Sequence, residues 1–319
     1  MRIAVLDDYQ DAALGSADWG RLDAEVTAIR ERLEGEALVE RLRSFEVVVL
    51  MRERTAFPAE VIDALPSLRL IVTTGSRNAA IDAAAAARRG IPVCGTRSRK
   101  PATAQHAMAL ILVTARRLLP QMVSMREGGW QTGLGRDLDG LALGVIGLGR
   151  LGTEIARLGR AFGMDVLAWS RNLTETRAAE AGARRARSLD ALLADSDVVT
   201  VHLPLTQGTH GLVGARELAL MRPDAVLVNT SRGPIVDWRA LLDTLRSDRL
   251  GAAALDVYDE EPLPADHPLR DRALIDAGRL MLTPHMGYVA RATYEAMYAD
   301  AVEDIEAWMR GEPIRVVEP

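Results

Sequence analysis

The stretch that decides the fold lies near the middle of the chain and is rich in glycine. It reads Gly144-Val145-Ile146-Gly147-Leu148-Gly149-Arg150-Leu151-Gly152, which places G-x-G-x-x-G between an apolar run and a helical pattern over residues 151–161. In this context the first glycine permits a tight turn, the second lets backbone approach a pyrophosphate, and the third lets helix pack on strand. Free N–H groups at the helix start would face the phosphates. The stretch predicts a dinucleotide-binding turn rather than a glycine loop without ligand, with Gly147, Gly149, Arg150, Leu151 and Gly152 as binding residues.

On both sides of this turn, short β-branched runs alternate with longer Ala-, Leu- and Arg-rich segments, a pattern typical of parallel sheets covered by helices. After the turn, the predicted strands are 165–169, 198–203, 225–229, 252–256 and 280–283; the strand before it is 142–146. An earlier series comprises 2–6, 47–51, 68–74 and 91–94. Because the glycine turn begins only at residue 147, the first series must form another domain. We expect an α/β protein with two doubly wound parallel-sheet domains.

Three helical patterns lie in the first third of the chain, over residues 36–43, 59–64 and 81–89. Between the two strand series, residues 102–119 read as one apolar helix that is followed by the Gly128-Gly129 break. Residues 288–310 read as a long amphipathic helix that ends at Gly311.

Composition excludes several classes of function. The chain has 319 residues, 48% of them hydrophobic, with a net charge of −5 and no dense basic block, so we expect no nucleic-acid partner. The longest apolar run, residues 107–115, is far shorter than the roughly 20 residues that span a bilayer, and the N-terminus lacks a signal-peptide pattern. We therefore expect a cytoplasmic protein with no membrane partner. The single cysteine, Cys94, excludes an internal disulfide and a Cys-rich zinc site, and we expect no metal.

The end of the second strand of the glycine-turn domain bears on the coenzyme. An acidic residue there accepts from the ribose hydroxyls of NAD, whereas arginine accommodates the 2′-phosphate of NADP. This chain has Ser170 and Arg171 at that point. The pair favours NADP(H) over NAD(H), with a solvated surface arginine as the alternative.

Five histidines are available as acid or base, and position favours one of them. His285 follows a strand in a Thr-Pro-His-Met-Gly turn, at the carboxyl edge where ligands of open α/β sheets bind. His106 lies in the apolar helix and is predicted to be packed or interdomain. His202 ends a strand near the adenosine side, and His210 and His267 lie in polar loops.

Two further strand ends offer partners for His285. The acidic run from Asp256 to Glu261 could supply a carboxylate, which favours a protonated imidazole, although solvated acids are the alternative. Arg232 follows another strand, and a guanidinium there can grip a carboxylate in a bidentate fork unless it forms a structural salt bridge. Together these residues predict a hydride-transfer site with a proton donor and an anion clamp.

The order of four motifs, at residues 147–152, 229–236, 255–262 and 283–287, resembles that of the D-isomer-specific 2-hydroxyacid dehydrogenase family. Members include phosphoglycerate, glyoxylate/hydroxypyruvate and D-lactate dehydrogenases. The resemblance covers nearly the whole chain. It implies a flavodoxin-like substrate domain of residues 1–98 and 286–319, with a Rossmann coenzyme domain of residues 99–285 inserted into it.

The resemblance also implies roles for individual residues. Arg232, Glu261 and His285 match the catalytic residues, and Asp256 matches an aspartate that helps to hold the nicotinamide carboxamide. Arg52, Ser76, Arg77 and Asn78 match substrate-binding positions. Further coenzyme contacts are expected from His202, Leu203, Pro204, Thr209, Thr230, Ser231 and Gly287. Gln105 replaces a common glutamate, and Arg77 is bulky and basic for its loop.

The implied activity is reversible transfer of a hydride between NADP(H) or NAD(H) and a small 2-keto or 2-hydroxy acid of D configuration. The alternative is a dinucleotide-sensing corepressor or scaffold with the same fold. Formate dehydrogenase is disfavoured because its histidine is paired with glutamine. We also expect a homodimer formed through the coenzyme domain. A group of basic residues is expected either to attract a dianionic substrate or to form surface or interface charges: Arg52, Arg54, Arg77, Arg97 and Lys100.

Overall fold

A computed structural model describes residues 1–97 and 101–318. Lys100, one of the expected substrate-attracting charges, lies outside the described residues. The chain divides into two compact units, Met1–Arg99 with Val289–Pro319 and Lys100–Tyr288. The sequence predicts boundaries after residues 98 and 285.

The first unit contains a five-stranded parallel sheet. Its strands are β1 (Arg2–Val5), β2 (Glu25–Ala28), β3 (Val47–Leu50), β4 (Leu70–Thr73) and β5 (Val93–Gly95), and its first three helices are α1 (Gly35–Leu42), α2 (Ala59–Asp63) and α3 (Ala83–Arg88). The strand order, β2-β1-β3-β4-β5, is the flavodoxin-like order. Strands β3 and β4 are buried at every position, as their continuous apolar sequences require.

The second unit contains a seven-stranded parallel sheet. Its helices are α4 (Pro101–Ala115), α5 (Leu118–Arg126), α6 (Arg150–Ala161), α7 (Glu175–Glu180), α8 (Leu189–Asp195), α9 (Ala215–Leu218), α10 (Trp238–Arg246) and α11 (Arg272–Asp276). Its strands are β6 (Ala142–Ile146), β7 (Asp165–Trp169), β8 (Arg184–Arg185), β9 (Val198–Val201), β10 (Val226–Asn229), β11 (Ala252–Leu255) and β12 (Leu280–Leu282). The order β12-β11-β10-β9-β6-β7-β8 reverses direction between β6 and β9, which is the Rossmann arrangement with one additional edge strand. The predicted fold class is confirmed.

One predicted helix is wrong in its extent. The pattern over residues 102–119 predicts a single helix, but α4 ends at Ala115 and α5 starts at Leu118, with a bend of 66° between them. Arg117 takes a left-handed conformation, φ 52°, at the break. No single described helix is long and apolar enough to cross a membrane; α4 and α5 reach that length and composition only when they are taken together.

The C-terminal segment returns to the first unit. Helix α12 (Arg291–Met309) buries ten of its side chains. Beyond it, Val316 pairs with Cys94 in an antiparallel bridge, and the Val317 N–H donates to the Val93 carbonyl at 2.8 Å. This contact completes the edge of the sheet at β5.

The second sheet positions the candidate site. Asn229 at the end of β10 lies in register with Val201 of β9 and with Leu255 of β11, and Leu255 lies in register with Leu282 of β12. Because all these strands are parallel, the loops that follow them share one edge of the sheet.

Candidate active site

The three motif glycines of the turn between β6 and α6 have three different surroundings. Gly147 has φ 101°, and a Cβ there would lie 2.7 Å from the His202 carbonyl oxygen. A Cβ on Gly152 would lie 2.0 Å from the Gly147 carbonyl oxygen, so α6 packs on the turn only with glycine at this position. A Cβ on Gly149 would meet no atom within 4 Å. The first and third glycines are therefore required by packing, and the second leaves its backbone open to a ligand.

Helix α6 begins at this open backbone. Gly149 is its N-cap and provides no side-chain hydrogen bond to the first turn, where Arg150 is exposed and Leu151 is half-buried. The uncapped N–H groups at a helix start suit a phosphate. The turn thus fits the pyrophosphate of a dinucleotide.

Ser170 and Arg171 follow β7 beside this turn. The Ser170 hydroxyl accepts a hydrogen bond from the Leu148 N–H at 2.9 Å, so the serine supports the turn directly. Arg171 is exposed, and a Cβ on Gly208 would lie 3.3 Å from its guanidinium. No carboxylate in the described part of the chain forms an ion pair with Arg171.

Two buried polar atoms at the ends of β9 and β10 lack hydrogen-bond partners among the described residues: His202 Nδ1 and Thr230 Oγ1. The other ring nitrogen of His202 lies 3.0 Å from Thr200 Oγ1. Burial lowers the pKa of His202 to about 4, so the imidazole is neutral at physiological pH. Unsatisfied buried polar atoms beside an open backbone cradle are consistent with a site built for a polar ligand.

The hydroxyl groups of two other predicted coenzyme contacts, Thr209 and Ser231, form hydrogen bonds within the protein. Thr209 Oγ1 donates to the Pro204 carbonyl at 2.7 Å and accepts from the Thr206 N–H at 2.8 Å. Ser231 Oγ donates to the Leu203 carbonyl, which joins the loops after β9 and β10. These hydroxyls therefore shape the two loops, and their contact with a coenzyme stays a prediction.

Arg232 lies in the loop after β10, which the Asn229 side chain fixes. The Asn229 amide donates to the Arg232 carbonyl at 2.9 Å, and its oxygen accepts from the Ser231 N–H at 3.0 Å. Next to it, a Cβ on Gly233 would lie 2.1 Å from the Tyr258 carbonyl carbon. The loop that carries Arg232 therefore packs directly on the loop after β11.

Glu261 and His285 form a hydrogen-bonded pair. His285 Nδ1 lies 2.5 Å from Glu261 Oε2, and the other carboxylate oxygen accepts from the Tyr258 N–H at 2.9 Å. Because a carboxylate only accepts, Nδ1 carries a proton and Nε2 remains for a reacting group. The imidazole is 27% exposed and contacts the Tyr288 ring edge-on, with ring centroids 5.7 Å apart. The pair has the geometry of an oriented acid or base.

Asp256 follows β11 directly and is a buried carboxylate. It is 1% exposed, and both carboxylate oxygens accept hydrogen bonds within the protein. Burial raises the pKa of this carboxyl, but hydrogen bonds from His106, Thr283 and the Met286 N–H outweigh that effect and hold the pKa below its usual value. Asp256 thus carries a buried charge beside the His285 loop, and its predicted contact with the nicotinamide carboxamide stays a prediction.

In the first unit, the predicted substrate residues follow β3 and β4. Arg52 has a left-handed φ of 53°, and its N–H donates to Thr74 Oγ1 at 2.9 Å. The Asn78 amide donates to the Arg52 carbonyl and to Thr73 Oγ1, so this side chain fixes the loop. Ser76 and Arg77 are exposed. Ser76 and Arg77 are thus accessible to a ligand, whereas the Asn78 side chain is used to hold the loop.

Two of the expected substrate-attracting charges are already bound within the first unit. Arg54 donates to the Asp7 carbonyl at 2.6 Å and lies over the Tyr9 ring. Arg97 pairs with the Asp300 carboxylate through Nε at 3.0 Å and through its terminal nitrogen at 2.5 Å. Both arginines thus stabilise the unit itself.

Sequence reasoning assigned no role to several residues that build the site. Asn229 fixes the Arg232 loop, Tyr258 holds Glu261 through its N–H, and Thr283 and His106 bind Asp256. For Asn229 and Tyr258, a polar residue beside a predicted site residue at a strand end was the available signal. For His106, 150 residues from Asp256 in sequence, no local signal existed.

Comparison with known proteins agrees with this geometry. A family model described as "D-isomer specific 2-hydroxyacid dehydrogenase, NAD binding domain" matches residues 108–287, more than half of the chain. The chain belongs to the D-isomer-specific 2-hydroxyacid dehydrogenase family. The predicted family is therefore confirmed.

Individual relatives of the family are similar over most of this chain. A glyoxylate reductase of Aeropyrum pernix is 39% identical over 79% of this chain and 76% of its own length. A D-3-phosphoglycerate dehydrogenase of Archaeoglobus fulgidus is 34% identical over 99% of this chain, which spans 58% of that relative's length. The solved structure of a phosphoglycerate oxidoreductase from Vibrio cholerae O395 has a TM-score of 0.91 and 35% identity, covering 98% of this chain and 99% of the other.

These findings support the main functional prediction, an oxidoreductase of the D-2-hydroxyacid dehydrogenase family with an NAD-binding domain, and do not support the corepressor or scaffold alternative. They leave the substrate and the choice between NAD and NADP to be proposed.

Proposed function

We propose that this chain reduces small 2-keto acids reversibly to D-2-hydroxy acids, with NADP(H) as the preferred coenzyme. The observation that carries the proposal is the His285–Glu261 pair, held on the same sheet edge as Arg232 and the open glycine turn. A bound nicotinamide dinucleotide supplies or takes up the hydride. The chain itself has to bind the acid, orient its carbonyl group and move one proton.

His285 Nε2 is the proposed proton donor to the carbonyl oxygen, and it takes the proton back in the oxidation direction. Glu261 orients the ring by accepting the Nδ1 proton, which leaves Nε2 directed to the reacting group. Arg232 is proposed to bind the substrate carboxylate in a fork and to polarise the carbonyl group. For Ser76 and Arg77 we propose contact with the substrate, whereas Asn78 and the Arg52 backbone hold the loop that presents them.

The coenzyme preference rests on Ser170 and Arg171. Serine adds no negative charge where a 2′-phosphate would lie, and Arg171 is exposed without an ion-pair partner among the described residues. A guanidinium in that state can form charge-assisted hydrogen bonds to a phosphate.

A coenzyme and substrate panel tests the proposed function. NADPH and NADH oxidation should be measured with glyoxylate, hydroxypyruvate, 3-phosphohydroxypyruvate, pyruvate and a branched keto acid. We expect turnover of at least one of these acids and a higher kcat/KM with NADPH. A clear NADH preference would reject the coenzyme assignment, and no turnover with any acid would reject the activity.

We also propose that the protein forms a homodimer through the coenzyme domain. Helix α5 has no fully buried side chain, and the segment after it exposes Trp130 (71%) and Leu134 (93%). A cluster of large exposed apolar side chains is typical of an interface.

Sedimentation tests this proposal and should show a dimer for the wild type. The double variant Trp130→Ser, Leu134→Ser should be a monomer. Met309→Ser is the control, because Met309 is an exposed apolar residue of the first unit, and it should remain a dimer. The cytoplasmic location and the absence of nucleic-acid and membrane partners stay predictions.

A further inference from the structure

The residue proposed to move the proton stands in an unfavourable backbone conformation. His285 has φ 49°, in the left-handed region that residues with a side chain seldom adopt. Such a conformation persists only where the surroundings impose it. The question is which groups impose it on the 283–287 loop.

Asp256 supplies those groups directly. Its Oδ1 accepts from the Met286 N–H at 2.9 Å and from the Thr283 hydroxyl at 2.5 Å, and its Oδ2 accepts from the Gly287 N–H at 2.9 Å. The carboxylate thus binds the backbone on the C-terminal side of His285 and a side chain on the N-terminal side. Asp256 therefore fixes the chain both before and after His285.

A carboxylate that is 1% exposed needs compensation for its charge. His106 Nε2 lies 3.2 Å from Asp256 Oδ1 and 3.2 Å from Thr283 Oγ1. Because Asp256 only accepts and the Thr283 proton is directed to Asp256, His106 Nε2 must be the donor. Within the described residues, His106 is the one side-chain nitrogen hydrogen-bonded to this carboxylate.

The packing around Gly287 shows that α4 and the loop are in direct contact. A Cβ on Gly287 would lie 3.2 Å from Asp256 Oδ2, 3.3 Å from Thr103 Cγ2 and 3.8 Å from His106 Cδ2. An added side chain at residue 287 would therefore displace its neighbours on the helix and the loop by a few tenths of an ångström. His106 is therefore placed by α4, whose neighbouring residues Ala107 and Met108 are buried in the core.

We propose that His106 is a positioning residue: by donating to Asp256, it fixes the backbone of residues 283–287 and with it the imidazole of His285. This role rests on the proposed function, since it concerns the proton donor of that reaction. The sequence predicts a packed or interdomain position for His106, and the proposal adds a specific function in the site.

The test compares His106→Leu, which removes the donor, with His106→Gln, which keeps an N–H donor on a side chain of similar reach. His210→Leu is the matched control, because His210 is an exposed histidine of the same unit. The first measurement is NMR of the coenzyme-free protein with ¹⁵N-labelled histidine. The signal of interest is the His285 Nδ1 proton in the hydrogen bond to Glu261. It is assigned as the signal that is lost in His285→Gln.

We expect that proton signal to shift or disappear in His106→Leu, to return in His106→Gln and to be unchanged in His210→Leu. With a keto acid that the wild type reduces, kcat should fall at least tenfold in His106→Leu, with a smaller change in KM, and should recover at least partly in His106→Gln. An unchanged proton signal in His106→Leu, or no rescue by glutamine, would overturn the inference. If the signal responds as expected and the wild type reduces no keto acid, the proposed function fails and the positioning role stands.

Discussion

Two turns at the same sheet edge of the second unit are built in opposite ways. The turn after β6 depends on residues without side chains: Gly147 and Gly152 allow close contact between backbone segments, and Gly149 leaves its backbone open to a ligand. The loop after β12 works through side chains, since His285 meets Glu261 while Asp256 holds the backbone around it. The first turn is contained in six consecutive residues, whereas the second needs residues from two loops, those after β11 and β12, and from helix α4.

This difference determines how each turn responds to substitution. A side chain added at Gly147 or Gly152 meets backbone and must disturb the fold, whereas one added at Gly149 enters the open ligand cradle. A side chain removed from the second turn leaves the fold in place and removes chemistry or orientation. The following predictions separate these two kinds of effect, in order of decreasing size.

His285→Gln should have the largest effect. Loss of a positioned proton donor lowers turnover by about 10²- to 10⁴-fold, while coenzyme affinity should remain, because the glycine turn is unaltered. Steady-state kinetics and titration of NADPH fluorescence measure the two quantities, with His267→Gln as the control. Near-normal turnover would show that the proton comes from another group.

Gly152→Ala and Gly149→Ala form a matched pair within the glycine turn. The added methyl at residue 152 would lie 2.0 Å from the Gly147 carbonyl oxygen, so the free energy of unfolding should fall by about 3 kcal/mol. At residue 149 the methyl meets nothing within 4 Å, so stability should change by less than about 1 kcal/mol while coenzyme affinity falls. Urea unfolding and coenzyme titration distinguish the two. Equal loss of stability in both variants would contradict the assignment of an open cradle to Gly149.

His202 predicts a dependence of stability on pH. Its pKa is lowered from 6.5 to about 4 by burial, so the unfolded chain binds more protons than the folded chain within that window. The free energy of unfolding should therefore fall as the pH falls from 6.5 to 4, by at most about 3 kcal/mol from this residue. Urea unfolding of coenzyme-free protein at several pH values measures the slope. His202→Gln should flatten it and His210→Gln should not; an identical slope in all three proteins would remove His202 as its source.

Arg171→Ala should have the smallest effect, confined to one coenzyme. Hydrogen bonds to charged groups contribute about 1.5–3 kcal/mol, so kcat/KM with NADPH should fall roughly 10- to 100-fold, while kcat/KM with NADH stays nearly constant. Arg187→Ala, at an exposed position of the same unit, is the control. A parallel loss with both coenzymes would mean that Arg171 does not recognise the 2′-phosphate.

Most of the fold could be predicted because its central strands are continuous apolar runs that end at polar turns. Strands β6 and β7 occur at the predicted residues. The two strands that were missed are atypical. β2 (Glu25–Ala28) has no fully buried residue, and β8 consists of two exposed arginines, Arg184 and Arg185. At the break after α4, Arg117 adopts a left-handed conformation that its residue type does not signal. Pro120, in the first turn of α5, was the available sign of a helix boundary, but it follows the break by three residues.

Part of the site could be predicted, because the carboxyl ends of parallel strands meet at one edge of a sheet. That reasoning placed Glu261 and His285 at one edge, and the structure shows their hydrogen bond. It gave no information about which polar groups are already occupied. Asp256 and Asn78 have the residue types of ligand contacts, yet their side chains bind the backbone of their own loops or of neighbouring loops. Such hydrogen bonds depend on distances that no local pattern contains.

The left-handed backbone at residue 285 has an evolutionary consequence. Asparagine and glycine adopt this conformation more easily than histidine, so folding alone would favour either of them there. Under the proposed function, the reaction would select for histidine at this position against a small thermodynamic preference. Descendants of this chain that retain dinucleotide binding after losing turnover are expected to drift to Asn or Gly at residue 285, and that single position then marks which of them are pseudoenzymes.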